Sequence, residues 1–284
     1  MRVNSLYTDP GGGAVCKEQF VEFPDQPVDP VPPAGPVLFG NIEAGGFTVT
    51  KDLVDDSGKI PADTEFTVRV ACIFNGQSVD GYPRDLTLAD GDSATLGPLA
   101  NGTTCTVTEP DSQGATVGIS QPSVTIPQDD GITVTVTNTY PAGTGEVAKI
   151  VQLQGDLPPD LIAPGTAFPI DISCTFPDTA GFPNAGQPIP GFDPLRETIT
   201  SGQPGQAGTP VTFGQLPVGS QCTVTEPTDT NNGATEVDIQ PTEPVIITES
   251  PEPVRVSVTN VYEPAAIKII KTVQGATLPP TTEF

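Results

Sequence analysis

The sequence has no histidine and no tryptophan, and it contains a single methionine. Without histidine the chain cannot build a Ser-His-Asp triad, a histidine general base or a zinc site of the usual histidine-containing kind. Its apolar runs are too short to cross a bilayer, and its first residues lack the apolar core of a signal peptide. We therefore expect no enzyme activity, no cofactor and no metal site.

Positive charge is also scarce, with 11 Lys and Arg residues against 35 Asp and Glu residues and a formal net charge of −24. Such a surface repels nucleic acid and anionic lipid, so we expect no nucleic-acid partner and no membrane contact in this segment. The acidic stretches 54–58, 89–94 and 128–131 lack the ligand spacing of an EF-hand. We interpret them as ordinary turns rather than calcium sites.

Proline, glycine and alternating threonine and valine are abundant. The 34 prolines and 30 glycines indicate frequent turns instead of long helices, and the alternation is typical of short strands. With 284 residues, the chain is longer than one ordinary domain. We predict an all-β protein made of tandem antiparallel β-sandwich domains, Ig-like or prealbumin-like, with Greek-key connections.

The chain repeats itself at domain length. The segment ITVTVTNTYPAG at 132–143 matches VRVSVTNVYEPA at 254–265, and GTTCTVTEP at 102–110 matches GSQCTVTEP at 219–227. A lysine follows each strand that carries the repeated asparagine, ten or eleven residues later. We predict four segments: the end of a preceding unit (1–42), two complete units (43–140 and 141–263) and the start of a further unit (264–284).

The second unit is longer than the first because of one stretch between its cysteines, at 176–210. This stretch shows little strand periodicity, so we predict a long loop or lobe. Two interpretations remain open for it. It is either a neutral insertion or a surface that binds a host protein or glycan.

The five cysteines follow the repeat. Cys72 and Cys105 occupy the same positions in the first unit as Cys174 and Cys222 in the second. Each pair could close a disulfide within its unit, which would imply an oxidising, exported setting. Buried free thiols in a reducing compartment are the alternative. Cys16 is left over, and we expect its partner to belong to the missing part of the preceding unit.

Strand parity places a lysine, a glutamate and an asparagine on apolar faces in each complete unit. If the first and last strands of a unit lie side by side, the lysine and the asparagine can meet. A buried isolated charge costs several kcal/mol, so these groups must pair or be removed by chemistry. The residues are Lys51, Glu109 and Asn138 in the first unit, and Lys149, Glu226 and Asn260 in the second.

Burial also changes what these groups can do. Desolvation lowers the pKa of a lysine and raises that of a glutamic acid. A neutral amine is a nucleophile, and a protonated glutamic acid can shuttle protons to a carboxamide. Three outcomes are open: a covalent Lys–Asn bond, an unreacted buried Lys–Glu–Asn cluster, or a parity assignment that fails.

The ordered set of a lysine strand, a TEP segment and a VTN strand resembles the Cna-B/SpaA-type domains of Gram-positive adhesins and pilins. With the two cysteines added, it resembles the tandem repeats of actinobacterial surface proteins. The likeness covers 43–263 and both end fragments, but the family's longer glutamate box is absent and proline directly follows the glutamate. The resemblance implies Lys–Asn isopeptide bonds assisted by glutamate: Lys51 with Asn138 and Glu109, and Lys149 with Asn260 and Glu226, leaving Asn41 and Lys271 without partners through truncation.

The resemblance also implies a function. We expect an extracellular protein, at the cell surface or associated with the cell wall, whose tandem sandwiches form a stalk or fibre with neighbouring repeats as partners. The alternative is an adhesin module that recognises a host protein or glycan through 176–210.

Overall fold

The computed structural model describes residues 2–8, 14–20, 44–127 and 131–265, with side chains described from residue 44 onward. Every regular element in these ranges is a strand, which confirms the predicted all-β class. In the part of the chain that is described, no helix is long and apolar enough to cross a membrane.

The described residues before position 42 belong to a compact unit of their own. Its strands β1 (Arg2–Thr8) and β2 (Ala14–Phe20) pair as an antiparallel hairpin. Cys16 lies on β2, but its side chain is outside the described residues, as are Asn41 and Lys271. The expectations for these three residues therefore stay predictions.

The described residues from 44 onward belong to the second compact unit, which contains both complete repeats. The first repeat is built from β3 to β11 and the second from β12 to β19. The strands of the first repeat are β3 (Ala44–Asp55), β4 (Phe66–Phe74), β5 (Gln77–Ser78), β6 (Arg84–Leu88), β7 (Ser93–Ala100), β8 (Thr104–Thr108), β9 (Thr116–Ile119), β10 (Ser123–Thr125) and β11 (Ile132–Tyr140). Those of the second are β12 (Ala142–Leu153), β13 (Ala167–Thr175), β14 (Leu195–Thr200), β15 (Val211–Pro217), β16 (Gln221–Thr225), β17 (Glu236–Gln240), β18 (Val245–Ile246) and β19 (Val254–Tyr262).

Both repeats have the same strand order. In the first, one sheet runs β7-β3-β11-β9 and the other β10-β8-β4, with β5 and β6 also paired to β4. In the second, the corresponding sheets run β15-β12-β19-β17 and β18-β16-β13-β14. The alternating buried positions of these strands form the apolar core of each sandwich.

The first and last strands of each repeat lie side by side and run parallel. In the first repeat, 47–55 on β3 pairs with 132–140 on β11, and β12 pairs with β19 in the same way. The other strand pairings that the structure describes are antiparallel. Because the parallel pair includes both ends of a repeat, the chain enters at one end of the sandwich and leaves at the other.

The disulfides lie in the other sheet of each repeat. Cys72 on β4 is directly opposite Cys105 on β8 and is bonded to it. Cys174 on β13 is likewise opposite Cys222 on β16 and bonded to it. The four cysteines are buried, so each disulfide is part of the core of its sandwich.

The stretch 176–210 is more ordered than its sequence suggested. Residues 195–200 form β14, which pairs with β13, so the predicted loop or lobe does not extend over these six residues. The preceding residues 176–194, here called the lobe, fold back along the end of β13. Within the lobe, the amide of Phe176 donates to the carbonyl of Gln187, and the amide of Ile189 connects the lobe to β13 by donating to the carbonyl of Cys174.

Candidate functional site

Three buried polar side chains meet in the first repeat. Lys51 is 1% exposed and Asn138 0%, and the side chain of Glu109 is also fully buried. Lys51 Nζ donates to Asn138 Oδ1 at 2.7 Å, and Asn138 Nδ2 donates to Glu109 Oε1 at 2.6 Å. Glu109 Oε2 lies 3.6 Å from Lys51 Nζ. The carboxamide therefore lies between the amine and the carboxylate.

The second repeat contains the same arrangement in a tighter form. Lys149 Nζ donates to Asn260 Oδ1 at 2.5 Å and to Glu226 Oε2 at 2.5 Å. Asn260 Nδ2 donates to Glu226 Oε1 at 3.0 Å. Each carboxylate oxygen thus accepts from one nitrogen, and the three groups form a closed ring of hydrogen bonds. The same arrangement in both repeats indicates a specific site rather than a chance cluster of side chains.

The strand register explains why these side chains meet. On the parallel pair of the first repeat, Lys51 is opposite Val136 and Asn138 is opposite Leu53. The lysine and the asparagine are therefore offset by two residues and point to the same face. Glu109 follows the end of β8 in the opposing sheet, so it reaches them from across the sandwich.

An aromatic ring lies over each lysine, which our sequence analysis did not foresee. Lys51 Nζ is 4.3 Å from the ring centroid of Phe66, and Lys149 Nζ is 4.3 Å from that of Phe168. Both rings are 0% exposed. A sequence signal existed, because both phenylalanines lie at the start of the strand that follows the lysine strand: Phe66 is the first residue of β4 and Phe168 is the second residue of β13. The face of the ring stabilises a cation and keeps water from the amine.

A tyrosine two residues after each asparagine was also missed. Tyr140 and Tyr262 are buried on the same face as the asparagines. The hydroxyl of Tyr140 donates to the carbonyl of Gln113 at 3.1 Å, and that of Tyr262 to the carbonyl of Asn231 at 2.9 Å. These bonds tie the last strand to the loop that closes this end of each site.

Burial changes the ionisation of the lysines. It lowers the pKa of Lys51 and lowers that of Lys149 to about 8, against the opposing effect of the neighbouring glutamate in each site. Both shifts have the direction that desolvation imposes on a cation. The neutral, nucleophilic form of Lys149 is therefore accessible close to neutral pH.

Backbone hydrogen bonds also fix each lysine strand along the edge that faces away from the last strand of its repeat. The amide of Lys51 donates to the carbonyl of Asp92, and the amide of Gly91 donates to the carbonyl of Lys51. In the second repeat the amide of Gly208 donates to the carbonyl of Lys149. The acidic stretch 89–94 thus serves as a turn that completes this edge. In the described ranges, no group of three or more acidic or cysteine side chains is placed to hold a metal ion.

Both repeats match the same protein family. Residues 47–141 and 146–263 each match the family model described as "Domain of unknown function (DUF5979)". The chain belongs to this family. One DUF5979 match lies in each of the two complete repeats, and each match includes the lysine, the glutamate and the asparagine of one site.

Several solved structures resemble the chain distantly. The major pilin from Streptococcus pyogenes is 15% identical over 78% of this chain and 99% of its own, with a TM-score of 0.41. The major pilin protein T3.2 from S. pyogenes serotype GAS13637 is 13% identical over 78% of this chain and 98% of its own, with a TM-score of 0.42. The pilus-presented adhesin Spy0125 (Cpa) is 20% identical over 34% of this chain, with a TM-score of 0.28, and the match spans 27% of that adhesin. This likeness is one of fold alone. No curated protein matches the chain.

Proposed function

We propose that this segment is the mechanical stalk of a secreted protein at the cell surface or cell wall, in which a Lys–Asn isopeptide bond closes each DUF5979 repeat. The observation that carries the proposal is the ring formed by Lys149, Glu226 and Asn260, buried and hydrogen-bonded to one another. The two disulfides support an exported protein, since disulfides persist in oxidising compartments.

The geometry supports a direct route to the bond. Burial favours the neutral amine of Lys149, which attacks Cγ of Asn260. One oxygen of Glu226 faces the attacking amine and the other faces the departing nitrogen. The carboxyl group takes a proton from Nζ and delivers one to Nδ2. The Nζ–Cγ bond forms, the Cγ–Nδ2 bond breaks and ammonia leaves.

An unreacted cluster is the competing interpretation of the same contacts. In that case the lysine stays an ammonium and pairs with the glutamate, at a desolvation cost that a buried ion pair only partly recovers. Formation of the isopeptide bond, with loss of ammonia, instead leaves an uncharged amide and an uncharged glutamic acid in the core. Because the reaction consumes its own side chains, we propose no catalytic turnover.

The strand directions support a mechanical role. The chain enters each repeat on the first strand and leaves on the last, and these two strands are parallel neighbours. Tension between the two ends therefore shears that pair. A bond between them carries the tension before the hydrogen bonds of the pair must break.

An adhesin role for 176–210 has less support from the contacts. The large apolar side chains of its first part are buried and unavailable to an external partner. They are Phe176, Phe182, Ile189 and Phe192.

Intact-mass measurement of the folded, reduced full chain tests the proposal. We expect a mass below that of the plain sequence by two molecules of ammonia. Glu109→Gln and Glu226→Gln should each restore one ammonia, whereas Glu65→Gln, at a glutamate outside both sites, should restore none. A wild-type mass equal to the plain sequence would remove the isopeptide bonds and leave the disulfides as the only covalent closure.

A further inference from the structure

The lobe of the second repeat contacts the first repeat through Phe182. The centroid of its ring is 5.4 Å from that of Tyr140, at an interplanar angle of 82°. Phe176 supports it from within the lobe, 6.4 Å away between centroids. The contact belongs to one continuous apolar cluster that spans both repeats. The members from the first repeat are Ile60, Phe66 and Tyr140, with Leu53 and Ala115 packed against them.

The first repeat accommodates this ring at a glycine. A Cβ on Gly114 would lie 2.7 Å from Cδ2 of Phe182, closer than side chains approach one another. The corresponding glycine of the second repeat, Gly233, has nearly the same backbone conformation, with φ of +80° against +85°. A Cβ there would meet no atom within 4 Å. The two glycines therefore differ in whether a lobe packs on them.

The surface that receives the ring is also the outer side of the first lysine site. Residues 111–115 form the loop at this end of the sandwich. Asn138 Nδ2 donates to the carbonyl of Ser112 at 3.5 Å, and the Tyr140 hydroxyl donates to the carbonyl of Gln113 at 3.1 Å. The lobe thus packs on the same loop whose carbonyl groups orient the asparagine and the tyrosine.

We propose that the lobe is a docking element that fixes the second repeat on the end of the first and closes the outer side of its lysine site. In the first repeat, β4 is followed by a short hairpin to β5, so that repeat has no comparable lobe. The partner that the lobe fits is a preceding repeat with a glycine and a tyrosine in these two positions. The docking does not depend on formation of the isopeptide bond.

The two glycines provide a matched test in the full chain. Gly114→Ala and Gly233→Ala strain the backbone alike, because both positions have a positive φ. Only Gly114→Ala displaces Phe182. We expect this variant to exchange the amide hydrogens of 111–115 and of the lobe about tenfold faster, as loss of a packed aromatic contact implies. Small-angle scattering should show a broader distribution of distances. Gly233→Ala should leave both measurements unchanged.

Two results with the glycine variants would overturn the docking. One is wild-type exchange in Gly114→Ala, and the other is an equal effect of both alanine variants, which would assign the change to backbone strain. Phe182→Ala should reproduce the faster exchange at 111–115, and an unchanged loop in that variant also counts against docking. Protection of the Ile189 amide, which donates to the carbonyl of Cys174 on β13, shows that the lobe itself stays folded on its own repeat. Intact mass of the same samples reports separately on the cross-link.

Discussion

The separation along the chain of the residues that we propose to be cross-linked predicts the response of the protein to force. Lys51 and Asn138 are 87 residues apart, and Lys149 and Asn260 are 111 apart. At roughly 3.5 Å per extended residue, these segments hold about 300 Å and about 390 Å of chain. With both bonds formed, pulling on the two ends should release neither length.

The disulfides must be separated from this effect, because they also shorten the releasable chain. They close loops of 33 and 48 residues, which correspond to about 115 Å and about 170 Å. In Lys51→Met, unfolding of the first repeat should therefore release about 190 Å with the disulfide intact and about 300 Å after reduction. The second repeat should remain locked in both cases.

Single-molecule force spectroscopy on the full chain measures these lengths directly. Methionine keeps the apolar stem of Lys51 but removes the amine, so the core stays filled while the bond is lost. Lys59→Met, which removes a lysine outside the site, should release no chain from the first repeat, as in wild type. A step of about 300 Å from the wild-type first repeat under reducing conditions would refute covalent closure.

Three further predictions concern stability. Glu226→Gln stops the bond and also removes the glutamate that raises the pKa of Lys149, so burial holds that pKa well below its unfolded value of 10.5. Stability to urea should therefore rise with pH, by up to about 1.4 kcal/mol per unit, until pH 10.5, and Lys149→Met should lack this rise. In that unlinked background, replacing Cys174 and Cys222 by alanine should cost about 4 kcal/mol, and a cost near zero would contradict the loop-closure argument. Tyr262→Phe should lower the free energy of unfolding by about 1 kcal/mol, because it deletes the hydrogen bond to a carbonyl; an unchanged midpoint would show that this bond adds nothing.

Much of the site follows from local sequence because a strand has a period of two. That period places Lys51 and Asn138 among buried neighbours, and the structure buries both. Parity identifies a face but not a direction, so it does not reveal that the first and last strands run parallel. The ring of Phe66 over Lys51 was missed for a related reason: it comes from another strand, and only tertiary packing brings it to the amine.

The stretch 176–210 was harder to predict because its buried residues follow no period. Phe176, Phe182, Ile189 and Phe192 are spaced by what each one contacts, in the lobe or in the preceding repeat. The strand at Leu195–Thr200 does alternate, but proline and glycine precede and follow it closely, and these residues concealed the pattern. The two repeats share one sequence pattern, and they differ most in the lobe, whose structure depends on contacts with the preceding repeat.

The disulfides, the proposed isopeptide bonds and the docked lobe act on different parts of the chain when it is under tension. The disulfides join strands of the sheet that contains neither the first nor the last strand. With the isopeptide bonds formed, tension passes from Lys51 to Asn138, along β11 and β12, and from Lys149 to Asn260. On this path, the tension does not pass through the sheet that contains the disulfides. Between the two described repeats, the segment without a cross-link is the join, where β11 ends at Tyr140 and β12 begins at Ala142. The lobe packs on the first repeat at that join. The proposed docking would therefore stabilise the part of the proposed stalk that neither kind of covalent bond protects.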